Sequence, residues 1–153
     1  REARDRACDV EVGPPVTQDP RPMTDSIEER RQVPYLEGLA LFGKDEHEAA
    51  IAKYEESLSI DPEWTEAMHG KAMALMQLER YDEAIEVGQR IVELDANDAF
   101  AHTSLSMFFQ RKGMIDEAEA EGAKARMISW KDELKTNPDA RPPGPAGNLD
   151  VMQ

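Results

Sequence analysis

The sequence predicts an all-α protein, an α-solenoid of three helix-turn-helix units flanked by two disordered tails. Two observations carry this. The first is self-similarity. Ala50, Ala84 and Ala118 lie 34 residues apart, as do Gly38, Ala72 and Ser106, and Leu41, Leu75 and Phe109. A fixed period of this length marks units that each bury an apolar face on the next. The second is composition. Aromatics make up only 6% and charged residues 33%, and the abundance of Ala, Glu, Leu and Met favours helix.

The elements follow in chain order. Residues 1–22 hold Gly13-Pro14-Pro15, Asp19-Pro20 and Arg21-Pro22 without apolar periodicity, and read as a disordered lead. The repeat domain spans 23–135, with units at about 31–64, 65–98 and 99–132. In the second unit, Glu66 to Leu78 is apolar on one face at Met68, Ala72, Leu75 and Leu78. Glu79-Arg80-Tyr81 turns the chain, and Asp82 sits at the start of a second helix, where its charge suits the helix dipole. Asp61-Pro62 closes the first unit and Asp95-Ala96-Asn97-Asp98 the second. Small residues at 38, 72 and 106 face the alanines at 50, 84 and 118, so paired helices approach closely. Pro34 falls near the start of the first helix, where its missing N–H is harmless. The last helix is expected to run on through Met127, Ile128, Trp130 and Leu134 and partly cap the stack. Residues 136–153, with Arg141-Pro142-Pro143-Gly144-Pro145, read as a second disordered, Pro-rich tail.

The period of 34, the small residue early in each unit, the central alanine and the closing proline together resemble the tetratricopeptide repeat (TPR). The first unit carries Gly38-Leu39-Ala40-Leu41, then Ala50-x3-Tyr54, then Pro62. The second has Ala72, Leu75 and Ala84, and the third has Leu105-Ser106-Met107-Phe108-Phe109 and Ala118. The resemblance covers about residues 31–130. It departs from the pattern at Gly88 and Gly122, where the family usually has an aromatic, and at Ala96 and Trp130, which replace the closing proline. The glycines are expected to leave thin spots that a bulky group fills.

The resemblance implies a right-handed solenoid whose first helices line a concave groove that holds a peptide or helix of another protein. Stepping 3, 4 and 3 residues along those helices follows one face. That face carries Gln32, Tyr35, Leu39 and Phe42, then Glu66, His69, Met73 and Met76, then Phe100, Thr103, Met107 and Gln110, with Arg111 beside it. Seven of these are Tyr, Leu, Phe or Met, an apolar stripe of the kind that marks a binding surface, and methionine adapts to varied partners. Some members of the family clamp a chaperone's terminal carboxylate with basic residues. The matching positions here are Tyr35, Leu39, Gly70, Phe100 and Ser104, none of them cationic, which disfavours such a clamp.

A catalytic constellation is absent from the sequence. It has no Gly-rich phosphate loop, no GxSxG and no nucleophile beside a base. His47, His69 and His102 lack further ligands to complete a metal set, and Asp95–Asp98 lacks the turn glycine and distal glutamate of a calcium loop. Neither a cofactor nor a metal is expected. The single cysteine, Cys8, makes no disulfide framework. A net charge of −14 repels nucleic acid. No apolar run is long enough to enter a membrane, and without a signal-peptide pattern the expected location is cytoplasmic. The expected partner is a protein or peptide with basic residues flanking an apolar segment. The alternative is a structural subunit, a homo-oligomer or part of a larger assembly, joined through the solenoid ends at the thin spots left by Gly88 and Gly122.

Overall fold

The computed structural model describes residues 26–144. The predicted lead at 1–22, Cys8 within it, and residues 145–153 of the predicted tail lie outside these. Among the described residues the chain forms six helices and no strand: α1 (Ile27–Phe42), α2 (His47–Ile60), α3 (Thr65–Gln77), α4 (Tyr81–Leu94), α5 (Ala99–Arg111) and α6 (Ile115–Thr136). Each helix packs on the next, and α3 also touches α1 and α5. This is the α-solenoid that the periodicity predicts.

Local chemistry sets the boundaries. Ser26 and Glu29 form a reciprocal capping box ahead of α1, which satisfies two N–H groups that a helix start leaves unpaired. This cap starts α1 four residues before the expected unit boundary. Pro34 is therefore buried in the helix interior and not near its start. The Ser57 hydroxyl of α2 donates to the Arg31 carbonyl at 2.8 Å, in the turn before that proline.

Every turn from a first to a second helix repeats one motif. Asp45, Glu79 and Gly113 take φ values of 62°, 58° and 80°. The next residues donate backward, Glu46 to Leu41, Arg80 to Leu75 and Met114 to Phe109. This six-to-one bond with a left-handed residue is the Schellman motif. The links between units also repeat. Trp64 donates to Asp61, and Asp98 to Asp95. The same turn recurs after α6, where Ala140 donates to Asn137. Trp130 Nε1–H holds that turn by donating to the Ala140 carbonyl at 2.9 Å. Residues 141–144 then run on without helix, and Pro143 lines a crevice with Ala125, Arg126 and Ser129. The expected run-on of the last helix is present, since α6 has 22 residues against 14 in α2 and α4.

The core interlocks through one register position, occupied in turn by Tyr54, Gly88 and Gly122. Tyr54 is 1% exposed. A Cβ placed on Gly38 would lie 2.8 Å from its ring, and one on Gly70 2.7 Å. Both glycines are therefore required by the ring between them. At the next junction the sizes invert, and Leu105 of α5 comes within 2.7 Å of where a Gly88 Cβ would stand. Gly88 is thus buried under this chain's own leucine, and the thin spot expected there is already filled. At Gly122 no large apolar side chain fills the position, and a Cβ there would lie 3.2 Å from the Ser106 hydroxyl and 3.4 Å from the Arg126 guanidinium. The facing of small residues holds at the third unit, where the Ser106 hydroxyl donates to the Ala118 carbonyl at 2.6 Å.

Two substitutions test this packing. Tyr54→Ala is expected to lower the unfolding free energy by about 3–5 kcal/mol, because little can collapse into the space between two helices. Gly113→Ala meets no neighbouring atom, so its expected cost, about 1–2 kcal/mol, comes from the left-handed backbone alone. Urea unfolding followed by circular dichroism measures both.

Candidate binding groove

The first helices α1, α3 and α5 bring part of the predicted stripe together. Tyr35, Leu39 and Phe42 of α1, His69 and Met73 of α3, and Phe100 of α5 line one open cavity of about 300 Å³. Tyr54, Gly70 and Glu66 complete its lining. Phe100 and Leu39 stay 55% and 42% exposed, a high value for large apolar side chains beside a cavity. The lining carries one carboxylate, Glu66, and no lysine or arginine.

The rest of the stripe goes elsewhere. Met76 and Met107 are half-buried against the core. Gln110 lines a separate crevice beside α6, and Thr103 another. Arg111 and Gln32 are exposed outside the cavity. From the third repeat only Phe100 lines this cavity.

Stacked rings hold the walls. Tyr35 packs against Trp64 with centroids 4.7 Å apart and against Tyr54 at 6.0 Å. The Arg31 guanidinium lies 4.3 Å over the Trp64 ring and pairs with Asp61. On the opposite wall His69 meets the Phe100 ring edge-on at 4.8 Å. Its Nε2 lies 2.7 Å from Asp98, which also accepts from the Ala101 N–H and so caps α5. The link Asp95–Asp98, whose acidic residues resemble a calcium loop, is thus a capping turn. The supporting residues Trp64, Arg31 and Tyr54 lie off the face traced along the first helices. Tyr54 was legible as the aromatic of the motif, but not as the floor of the cavity.

A second His–carboxylate contact braces the back of the third repeat. Buried His102 places Nδ1 2.6 Å from Glu121 and Nε2 3.0 Å from the Ala96 carbonyl. Burial pushes the Asp98 carboxyl up, but the Ala101 N–H and His69 outweigh it and leave it below its ordinary value. Glu121 behaves alike: burial raises it, while Lys124 and His102 bring it lower. At the floor, burial and the neighbouring Tyr35 push the Tyr54 phenol up to about 12, so it is neutral at physiological pH.

With this geometry, residues 41–107 match the family model for the tetratricopeptide repeat. These helix pairs are tetratricopeptide repeats. Similar solved structures include the crystal structure of MamA, 23% identical with a TM-score of 0.65, covering 67% of this chain and 60% of that one. The TPR2B domain of yeast Sti1 in a complex with pHsp70 is 22% identical with a TM-score of 0.65, covering 70% and 86%. The second TPR of Spaghetti (RPAP3) bound to the HSP90 peptide SRMEEVD is 19% identical with a TM-score of 0.62, covering 66% and 94%. At these identities the likeness is one of fold, and the chain spans only about three fifths of MamA. No curated protein matches the sequence. Among the described residues no group of three or more His, Cys, Asp and Glu side chains could hold a metal ion, and no helix is long and apolar enough to cross a membrane.

The two lowered carboxyls set a pH dependence. A carboxyl held below its unfolded value contributes stability that is present above the ordinary range and lost as pH falls through the folded value. The urea midpoint of the TPR array is therefore expected to fall below about pH 4. Asp98→Asn and Glu121→Gln should each flatten that fall.

Proposed function

We propose that this chain is a non-catalytic protein-interaction adaptor whose groove binds an apolar or amphipathic peptide or helix of a partner protein. The supporting observation is the cavity itself, an open apolar surface with exposed Phe100 and Leu39 and one carboxylate at its rim. Apolar anchors entering such a cavity supply affinity by leaving water. Glu66 and the acidic surface around it favour Lys or Arg beside the anchor. The relatives bound to peptides of HSP90 or in complex with Hsp70 lend general support to peptide binding by this fold. This lining has no cation to receive a terminal carboxylate or an acidic peptide, so the proposed partner differs in charge from SRMEEVD.

A random peptide library displayed on phage and selected on the full chain tests the reading. Expected is enrichment of sequences with aromatic or aliphatic anchors near Lys or Arg. Their binding should weaken about tenfold or more in Leu39→Glu and in Phe100→Ala, changes at exposed positions that leave the helix content intact. Enrichment of acidic C-terminal peptides, or binding indifferent to both variants, would contradict it.

A further inference from the structure

The two ends of the array are matched to each other. On α1, Val33, Leu36 and Ala40 face outward, and Val33 and Leu36 are 60% and 52% exposed. One and two repeats later the same positions are Ala67 and Ala101, Gly70 and Ser104, and Ala74 and Phe108. Of these six only Gly70 is not fully buried. At Gly70 this face receives Tyr54 of the preceding helix α2, and α5 likewise packs on α4. Among the described residues the outer face of α1 is therefore a repeat-stacking face without a repeat on it.

The opposite end offers what this face lacks. Each internal junction joins a large and a small residue through the register position of Tyr54, Gly88 and Gly122, with Tyr54 on Gly70 at the first and Leu105 on Gly88 at the second. At Gly122 the small residue has no such partner. It opens instead into a crevice of about 200 Å³ lined by Ser106, Gln110, Ile115, Glu119 and Arg126. On α1 the equivalent of Gly70, the residue that meets this register position at the first junction, is Leu36, and the equivalent of Leu105 is Glu37. Charge agrees with size. Lys112 of α5 pairs with Asp82 of α4 across the internal junction. The register equivalents are Lys44 and Asp116, both exposed and both without an ion-pair partner among the described residues.

We propose that the outer face of α1 docks on the α5–α6 end of a second copy of this chain. Leu36 enters the Gly122 crevice, as Gly70 meets Tyr54 within one copy but with the sizes exchanged, and Lys44 meets Asp116, as Lys112 meets Asp82. Such a head-to-tail contact is heterologous and propagates into short chains of molecules. The net charge of −14 on each copy opposes it, so salt strengthens the association by screening. The surface is separate from the groove, and the inference stands without the groove's proposed function.

Sedimentation equilibrium of the full chain, from about 10 μM to about 1 mM in about 0.15 M and about 0.5 M NaCl, tests it. Expected is concentration-dependent association that tightens with salt. Leu36→Glu and Gly122→Leu should each weaken it about tenfold or more, with helix content by circular dichroism unchanged. An equimolar mixture of those two variants should form a dimer and stop there, since each supplies the intact end the other lacks. Asp116→Lys should weaken association, and Lys44→Asp added to it should restore it. A monomer at every concentration and salt, association that survives Leu36→Glu, or a mixture that stays monomeric would overturn the proposal.

Discussion

The array depends on the Tyr54 ring lying between Gly38 and Gly70. A single helix pair cannot bury its own apolar stripe, so each repeat is stable only through its neighbour. Tyr54 joins the first repeat to the second by entering two helices at once, at distances that leave no room for a side chain on either glycine. The second junction uses the opposite arrangement, a glycine on the second helix and a leucine on the next repeat. The same close approach is thus built twice from inverted sizes. That is why Gly88 departs from the family pattern without leaving a gap.

The groove follows from that joint. Where α1 and α3 are held together by a ring and a glycine, the space above them is shallow and apolar, with the Tyr54 ring as its floor. Aromatic stacking on Trp64 fixes one wall, and the His69–Asp98 contact fixes the other. The second of these also caps α5, so the side chain that positions the cavity-lining His69 is the one that starts the next repeat. Binding surface and repeat junction therefore share residues. The cavity lining carries a single carboxylate, Glu66, and no lysine or arginine.

The fold was legible because it rests on periodicity. Residues 34 apart share a role, and the sequence displays the small, alanine and leucine positions openly. The turns were legible only in part. Asp45, Glu79 and Gly113 occupy equivalent left-handed positions, but only the last is a glycine, so no common residue type announces them. Half of the groove could be read by stepping along the first helices: Tyr35, Leu39, Phe42, His69, Met73 and Phe100 converge as the spacing implied. Met76 and Met107 lie outside the cavity lining, although like Tyr35, Phe42 and Met73 they are partly buried against the core. The supports Trp64 and Arg31 come from a linker and from another face of α1, and no helical period connects them.

Nuclear magnetic resonance of methionine methyl groups tests the groove most directly. Met73 lies in the cavity, Met127 on the far side of the terminal helix, and both report without any substitution. Titration with an amphipathic peptide bearing Lys or Arg beside an aromatic anchor should move the Met73 resonance and leave Met127 in place, while SRMEEVD should move neither. A shift at Met127 with Met73 unmoved, or saturable binding of SRMEEVD at Met73, would contradict the account.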